Sequence, residues 1–217
     1  MSLLQIAIDG PAGSGKSTVA KAIANRLGIT YLDTGAMYRA ITWFALEQNF
    51  DVHCSESLKE AVLQMALSIS PTQIFVGGTD VTEAIRSPLV TQNVSFVSMD
   101  GFVREKMVAL QRHIASDQPV IMDGRDIGTV VLPNARYKFF LVADPAERAK
   151  RRMLELKEKG FQTSLEDLTE EIIRRDLLDS KRDVSPLAKA DDAIEIDTTH
   201  QTIEDVVEKI LSYITAE

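Results

Sequence analysis

The sequence predicts an α/β protein of the P-loop type: a mostly parallel central sheet in a three-layer sandwich, with a small inserted segment. Three observations predict it. Short apolar runs alternate with segments of helical period, the mark of a parallel sheet covered on both faces. The stretch "IDGPAGSGKS", Ile8 to Ser17, fits G-x-x-x-x-G-K-[ST] from Gly10 to Ser17. Between Ser68 and Thr82 the alternation breaks into "SISPTQIFVGGTDVT", which reads as a β meander or hairpin set into the α/β order.

The elements follow in order. Leu3 to Ile8 is apolar and ends at Asp9, so it reads as a buried strand. Ser17 to Leu27 carries Val19, Ala20, Ile23, Ala24 and Leu27 at helical spacing, and Gly28 is a natural stop. Ile29 to Leu32 is a second strand, completing a βαβ unit. Met37 to Glu47 and Leu58 to Leu67 read as helices. After the meander, Val103 to Ser116 returns to helix and Pro119 to Met122 is a strand ending at Asp123. Tyr137 to Val142 is a further strand. Ala146 to Lys159 and Leu165 to Ser180 are charged helices on either side of a turn containing Gly160. Ala193 to Asp197 and Thr202 to Ile214 are the last strand and helix.

The bulk numbers suit one domain of 217 residues with an adequate core, 45% of the residues being hydrophobic. A net charge of -8 excludes general affinity for nucleic acid or anionic membrane. An anionic substrate then needs arginines clustered against the global sign. Cys54 is the one cysteine, so no internal disulfide forms. With no signal-peptide pattern and no apolar run approaching ~18 residues, the chain reads as a soluble intracellular protein.

The loop has a definite chemistry. Its glycines let successive N–H groups turn inward onto phosphate oxygens, and the helix N-terminus adds partial positive charge. Lys16 reaches the β and γ phosphates, and the Ser17 hydroxyl can hold Mg²⁺. An ordinary strand-to-helix turn with a surface lysine is the alternative. A chance match in a chain of this length is roughly one in a hundred at average residue usage, so the loop reads as a nucleoside triphosphate site.

The acceptor is a separate question. A guanine switch carries N-K-x-D and D-x-x-G, and neither occurs here. Arginines stand in "DTGAMYRA", "FVRE", "MDGRDIG" and "IIRRDLLDSKR". For any one of them a solvated surface position is the plainer reading, except for Arg125, which follows an apolar strand where α/β ligands bind. A kinase with an anionic acceptor needs arginines for a second phosphate. None of His53, His113 and His200 falls in a motif, which suits a monophosphate acceptor. Its phosphate, with second pKa near ~6, is already largely dianionic at neutral pH and needs no general base. Asp126 could accept from the 4-amino group of cytosine. It could equally cap the following turn or pair with Arg125, and the residues alone leave these open. Other small acceptors (UMP, AMP, shikimate) and a non-catalytic nucleotide-binding protein also remain open on this chemistry.

"IDGPAGSGKST", "YLDTGAMYRA", "MDGRDIGTVV" and "RRDLLDSKRDVSPL", in this order and spacing, resemble the bacterial cytidylate kinase family over essentially the whole chain. The resemblance implies phosphoryl transfer from ATP to CMP or dCMP with Mg²⁺, by a monomer in the bacterial cytoplasm. It implies a monophosphate-binding subdomain over about 34–102 and a lid with flanking helices over 147–183. Gly10, Pro11, Ala12, Gly13, Ser14, Gly15, Lys16, Ser17 and Thr18 would hold the ATP phosphates. Thr34, Tyr38 and Arg39, with Arg125 and Arg182, resemble residues that hold the acceptor phosphate. Ser95, Arg104 and Asp126 resemble the cytosine readers, and Arg175 and Asp179 the sugar contacts. Lys16, Arg125 and Arg182 would be the catalytic cations. Thr34 stands where the family often has Ser, and both keep a hydroxyl. Arg148, Arg151 and Arg152 are all candidates for the lid arginine.

Overall fold

The apolar run before the glycine loop forms strand β1 (Gln5–Asp9), and the loop opens helix α1 (Lys16–Leu27). The computed structural model describes residues 3–70, 73–158, 160 and 163–215. The chain divides into two units, Met1–Tyr31 with Gln118–Glu217, and Leu32–Asp117.

In the first unit β1 is central. It pairs in parallel with β6 (Val120–Gly124) and with β7 (Tyr137–Val142), and β7 pairs in parallel with β8 (Ile194–Asp197). With β2 (Thr30–Asp33) at the edge, the order is β2-β6-β1-β7-β8. This is the mostly parallel α/β sheet that the alternation predicts. Strands β1 and β6 are buried almost throughout because both faces must be covered. Helices α1 and α8 (Ile203–Thr215) pack Val19, Ile23, Val206, Val207 and Ile210 onto Ile6, Ile8, Phe139 and Ile196. Arg26 bridges α1 to Glu204 and Glu208 of α8. Helices α6 (Pro145–Glu158) and α7 (Leu165–Lys181) pair through Ala149, Leu168 and Ile172, a small core of their own. The expected end of α6 at Lys159 lies outside the described residues.

In the second unit α2 (Thr34–Glu47) starts one turn earlier than its apolar spacing suggests. Asp33 Oδ1 accepts from Ala36 N at 2.9 Å, a side-chain cap that draws Thr34 into the helix. Helix α3 (Ser55–Gln64) stops short of Leu67, which instead pairs with Val76 in an antiparallel sheet of β3 (Leu67–Ile69), β4 (Ile74–Val76) and β5 (Thr79–Asp80). The meander is therefore real, within a core of Ala36, Ala40, Ile74, Val76, Val81 and Ile85. Helix α4 (Pro88–Met99) is absent from the pattern read from sequence. Its start is a Ser87 cap with Pro88 in the first turn, a recognisable signal obscured by weak periodicity. Helix α5 (Gly101–Asp117) closes the unit. His113 lies exposed on it. Among the described residues no helix is long and apolar enough to cross a membrane.

Gly10 leaves β1 at φ +146, and a Cβ there would lie 2.1 Å from the Leu141 carbonyl oxygen of β7. Gly10→Ala is therefore expected to destabilise the protein by about 3 kcal/mol or more, from backbone strain and overpacking together. Gly15→Ala has φ +87 but meets nothing nearer than Ile203 Cδ1 at 3.7 Å, so about 1–2 kcal/mol is expected. Urea unfolding of the two variants checks the order, and equal losses would count against it.

Candidate active site

The phosphate loop hangs between β1 and α1 and is held from several sides. Ser14 Oγ donates to Pro11 O at 3.0 Å, and Thr198 Oγ1 donates to Ser14 O at 3.0 Å. Gly13 and Gly15 take positive φ, which frees the intervening N–H groups to point into the loop. Lys16 is 4% exposed and its Nζ folds back onto Pro11 O at 2.5 Å and Ser14 Oγ at 3.3 Å. Burial, with Arg125 nearby, pushes the Lys16 ammonium down to about 7. Ser17 is partly buried and Thr18 exposed at the start of α1.

Two aspartates that close β1 and β6 organise the strand ends. Asp123 accepts from Ser17 Oγ at 2.8 Å on one oxygen and from Tyr31 Oη at 2.7 Å on the other. Asp9 accepts from Ile127 N at 2.8 Å and Gly128 N at 2.7 Å. Sequence reasoning took both aspartates only as strand ends. The signal available was an apolar strand that finishes on a carboxylate beside a phosphate loop. A hydroxyl and a carboxylate joined at 2.8 Å are hard oxygen donors of the kind Mg²⁺ prefers. Among the described residues no cluster of three or more His, Cys, Asp or Glu offers an all-protein metal cage.

Beyond β6, neighbouring residues reach α7. Arg125 Nε donates to Asp179 Oδ2 at 2.8 Å, and Arg182 Nη2 lies 3.6 Å from Asp126 Oδ1. The sequence-predicted Arg125, Asp126, Asp179 and Arg182 are thus brought together, with Arg175 one turn before Asp179. Burial disfavours charge on Asp179, but Arg125 and Arg175 outweigh it and hold its carboxyl below the usual range. Burial and then Arg125 push Arg175 down to about 10. Its Nε is buried with no hydrogen-bond partner among the described residues. Asp126 does not cap the turn that follows it: its side chain accepts no cap hydrogen bond. It forms an ion pair with Arg182.

In the second unit, Thr34 and Tyr38 are buried one turn apart on α2. Arg104 is 2% exposed, lies over the Tyr38 ring at 5.3 Å and donates to Ser98 O at 3.0 Å. Ser98 Oγ in turn donates to Ser95 O, so Ser95, Arg104 and Tyr38 form one linked group. Arg39, also on α2, donates to Thr91 Oγ1 at 2.8 Å.

The three lid candidates differ. Arg148 is 2% exposed and fully engaged, donating to Ala143 O and to Ala12 O, each at 2.9 Å, and pairing with Asp176. Arg151 donates to Thr198 O at 2.5 Å and to Thr199 O at 3.2 Å. Arg152 makes a 3.2 Å surface pair with Glu155.

A parallel sheet whose central strand runs into a glycine loop, a buried lysine and a hydroxyl–carboxylate pair define a P-loop nucleotide-binding protein of the α/β class. A crystal structure of an uncharacterized protein from Eubacterium ventriosum ATCC 27560 shares the fold, with TM-score 0.52 at 15% identity over 100% of both chains. The family model for cytidylate kinase matches residues 6–216, and the chain belongs to the cytidylate kinase family. A cytidylate kinase of Bacillus cereus (strain ATCC 10987 / NRS 248) is 53% identical over 215 residues, covering 97% of this chain and 96% of its own. One of Bacillus thuringiensis (strain Al Hakam) is 52% identical over the same shares.

Burial raises the Asp9 carboxyl from 3.8 to about 6, with Asp126 adding to the rise and the two backbone N–H groups and Lys16 opposing it. Between these values the folded protein holds a proton that the unfolded chain has released. Stability on this account falls as pH rises through the window and is level above it. The fall is on the order of 3 kcal/mol at 1.36 kcal/mol per pH unit. Urea unfolding between pH 4 and 6.5 is expected to show this slope in the native protein and a flatter one in Asp9→Asn. Identical slopes would exclude Asp9 as its source.

Proposed function

We propose that the chain moves the γ-phosphoryl group of ATP to CMP or dCMP, giving ADP and CDP or dCDP, with the roles assigned below. The family supports the reaction: an ATP-dependent nucleoside monophosphate kinase acting on cytidine monophosphates. The single observation that carries the residue roles is the crowd of cations beside the phosphate loop. Lys16, Arg125 and Arg175 each depress or oppose another's charge while buried. Carboxylates offset part of this charge, Asp123 at Lys16 and Asp179 at the two arginines, and the remaining donors suit the oxygens of a polyanion.

Gly10 to Thr18 hold the ATP phosphates, with backbone N–H groups and the α1 N-terminus as donors. Lys16 leaves Pro11 O and turns to the oxygens between the β and γ phosphates, where charge develops. Ser17 and Asp123 are the residues that would hold Mg²⁺, which neutralises phosphate charge when bound. Arg125 and Arg182 neutralise the acceptor phosphate. By resemblance Thr34, Tyr38 and Arg39 bind that phosphate too, Ser95 and Arg104 read the base with Asp126, and Arg175 and Asp179 contact the sugar. Asp126 reads cytosine by accepting from its 4-amino group, whereas the uracil 4-carbonyl would face the carboxylate with like polarity. No side chain need remove a proton, because the acceptor phosphate is already largely dianionic at neutral pH. The subsidiary segments take the family roles, 34–102 binding the monophosphate and 147–183 forming the lid that excludes water. Among the three lid candidates Arg152 is the arm left for the transferred group. Arg148 and Arg151 are committed to backbone carbonyls, and Arg152 is close enough to lower Arg175. The protein acts as a cytoplasmic monomer.

A panel of monophosphates in a coupled ADP-release assay is expected to give turnover with CMP and dCMP alone. Turnover with AMP or UMP at equal efficiency would overturn the reading. Asp126→Asn can accept from cytosine or rotate to donate to uracil. The kcat/KM ratio of CMP to UMP is expected to fall by roughly 5- to 150-fold, equivalent to about 1–3 kcal/mol of discrimination. Lys16→Ala is expected to lose at least 100-fold in kcat with little change in Tm. A well-folded variant of near-normal kcat would remove Lys16 from the mechanism.

A further inference from the structure

Asp126 is followed by a π-helical turn, Ile127–Val131. The Asp126 carbonyl accepts from Val130 N at 2.9 Å and Val131 N at 3.1 Å, and Leu132 N donates to Ile127 O at 2.7 Å. A helical turn leaves its first N–H groups without internal acceptors. Here those are Ile127 N and Gly128 N, and both are taken by one carboxylate from 118 and 119 residues away, Asp9. Asp9 is 4% exposed and immediately precedes Gly10 of the phosphate loop. The fit is close on the other side as well: a Cβ on Gly128 would lie 3.2 Å from Lys138 Cδ and 3.4 Å from Asp9 Oδ2. Lys138 is itself pinned to Pro133 O at 2.6 Å and to Asp192.

We infer that Asp9 is a positioning residue for the acceptor: it caps the turn behind Asp126 and so fixes the backbone that aims Arg125 and Asp126. The inference rests on the reading of those two residues as acceptor contacts. In that reading Asp9 acts through the backbone of the turn, by way of Ile127 N and Gly128 N. A carboxylate is required because it accepts through both oxygens. An amide in its place accepts once and sets its NH₂ against the second N–H, leaving a buried donor without a partner. The Arg125–Asp126 segment then relaxes while the loop that follows Gly10 keeps its own hydrogen bonds at Ser14 and Thr198.

The test compares Asp9→Asn and Gly128→Ala with the native enzyme. The first breaks the cap from the carboxylate side. The second crowds it from the backbone side and changes no charge. Both leave Arg125 and Asp126 in place. The expected result for Asp9→Asn is a Kd for CMP, by calorimetry, raised about tenfold or more. That corresponds to about 1.5 kcal/mol, the lower range for a hydrogen bond to a charged group. The ATP Kd should change less than twofold, and the CMP-to-UMP ratio of kcat/KM should fall. Gly128→Ala should shift the same quantities in the same direction by less, and decides alone if Asp9→Asn does not fold. Parallel weakening of both nucleotides, or a lower Tm with unchanged CMP binding, would overturn the inference. Arg125→Lys and Asp126→Asn separate it from the reading beneath it. If they weaken CMP binding and Asp9→Asn does not, the positioning role alone is wrong. If neither affects CMP binding, the acceptor assignment fails and the inference fails with it.

Discussion

Charge buried at the C-terminal ends of β1 and β6 is the constraint from which the rest of the first unit follows. Asp9, Lys16, Asp123 and Asp126 are each 4% exposed or are buried by the same elements. An isolated charge in such a place would shift its pKa and neutralise. Each has partners within reach: two backbone N–H groups at Asp9, a hydroxyl and a phenol at Asp123, a guanidinium at Asp126, a carbonyl and a hydroxyl oxygen at Lys16. Those partners come from the loop, the turn after Asp126, the edge strand and the end of α7. The sheet order puts their parent strands side by side, and the parallel direction brings all the relevant ends to one edge.

The two anions differ in a way that separates structure from chemistry. Among the described residues Asp9 accepts from two backbone N–H groups, those of Ile127 and Gly128. Asp123 accepts from side chains, Ser17 and Tyr31, that can rotate away. A backbone-held carboxylate is a frame. A side-chain-held one is exchangeable, and the Ser17 hydroxyl is the group that an incoming cation would compete for. The same contrast runs through the arginines. Arg148 and Arg151 hold carbonyls and tie α6 to the loop and to the segment after β8. Arg125 and Arg175 face anions or one another.

Much of this was readable from the residues. The phosphate loop, the parallel strands and the meander were all visible, because glycine spacing, apolar runs and β-turn residues each carry a local cause. Helix α2 was misjudged by one turn because its start is set by the Asp33 side chain rather than by apolar periodicity. Helix α4 was missed because Pro88 and a diffuse apolar pattern hide a helix whose start depends on Ser87. The π-helical turn after Asp126 has no periodic signature at all. Its first donors are satisfied by a residue more than a hundred positions distant, and no local window contains both. Motif resemblance points to Arg125, Asp126, Asp179 and Arg182, which lie together in the structure. It did not show which of them pair, since pairing depends on how the end of α7 meets the end of β6.

That pairing keeps the sequence order of both segments. Two adjacent residues of one loop, Arg125 and Asp126, engage two residues one turn apart on α7, Asp179 and Arg182. Replacing any one of the four strands a charge in a largely buried setting, where an uncompensated ion is far more damaging than a lost contact. The four positions therefore act as one unit in folding rather than four, and the effects of changing them do not add. A change in the loop is felt at the end of α7, and a change there is felt in the loop.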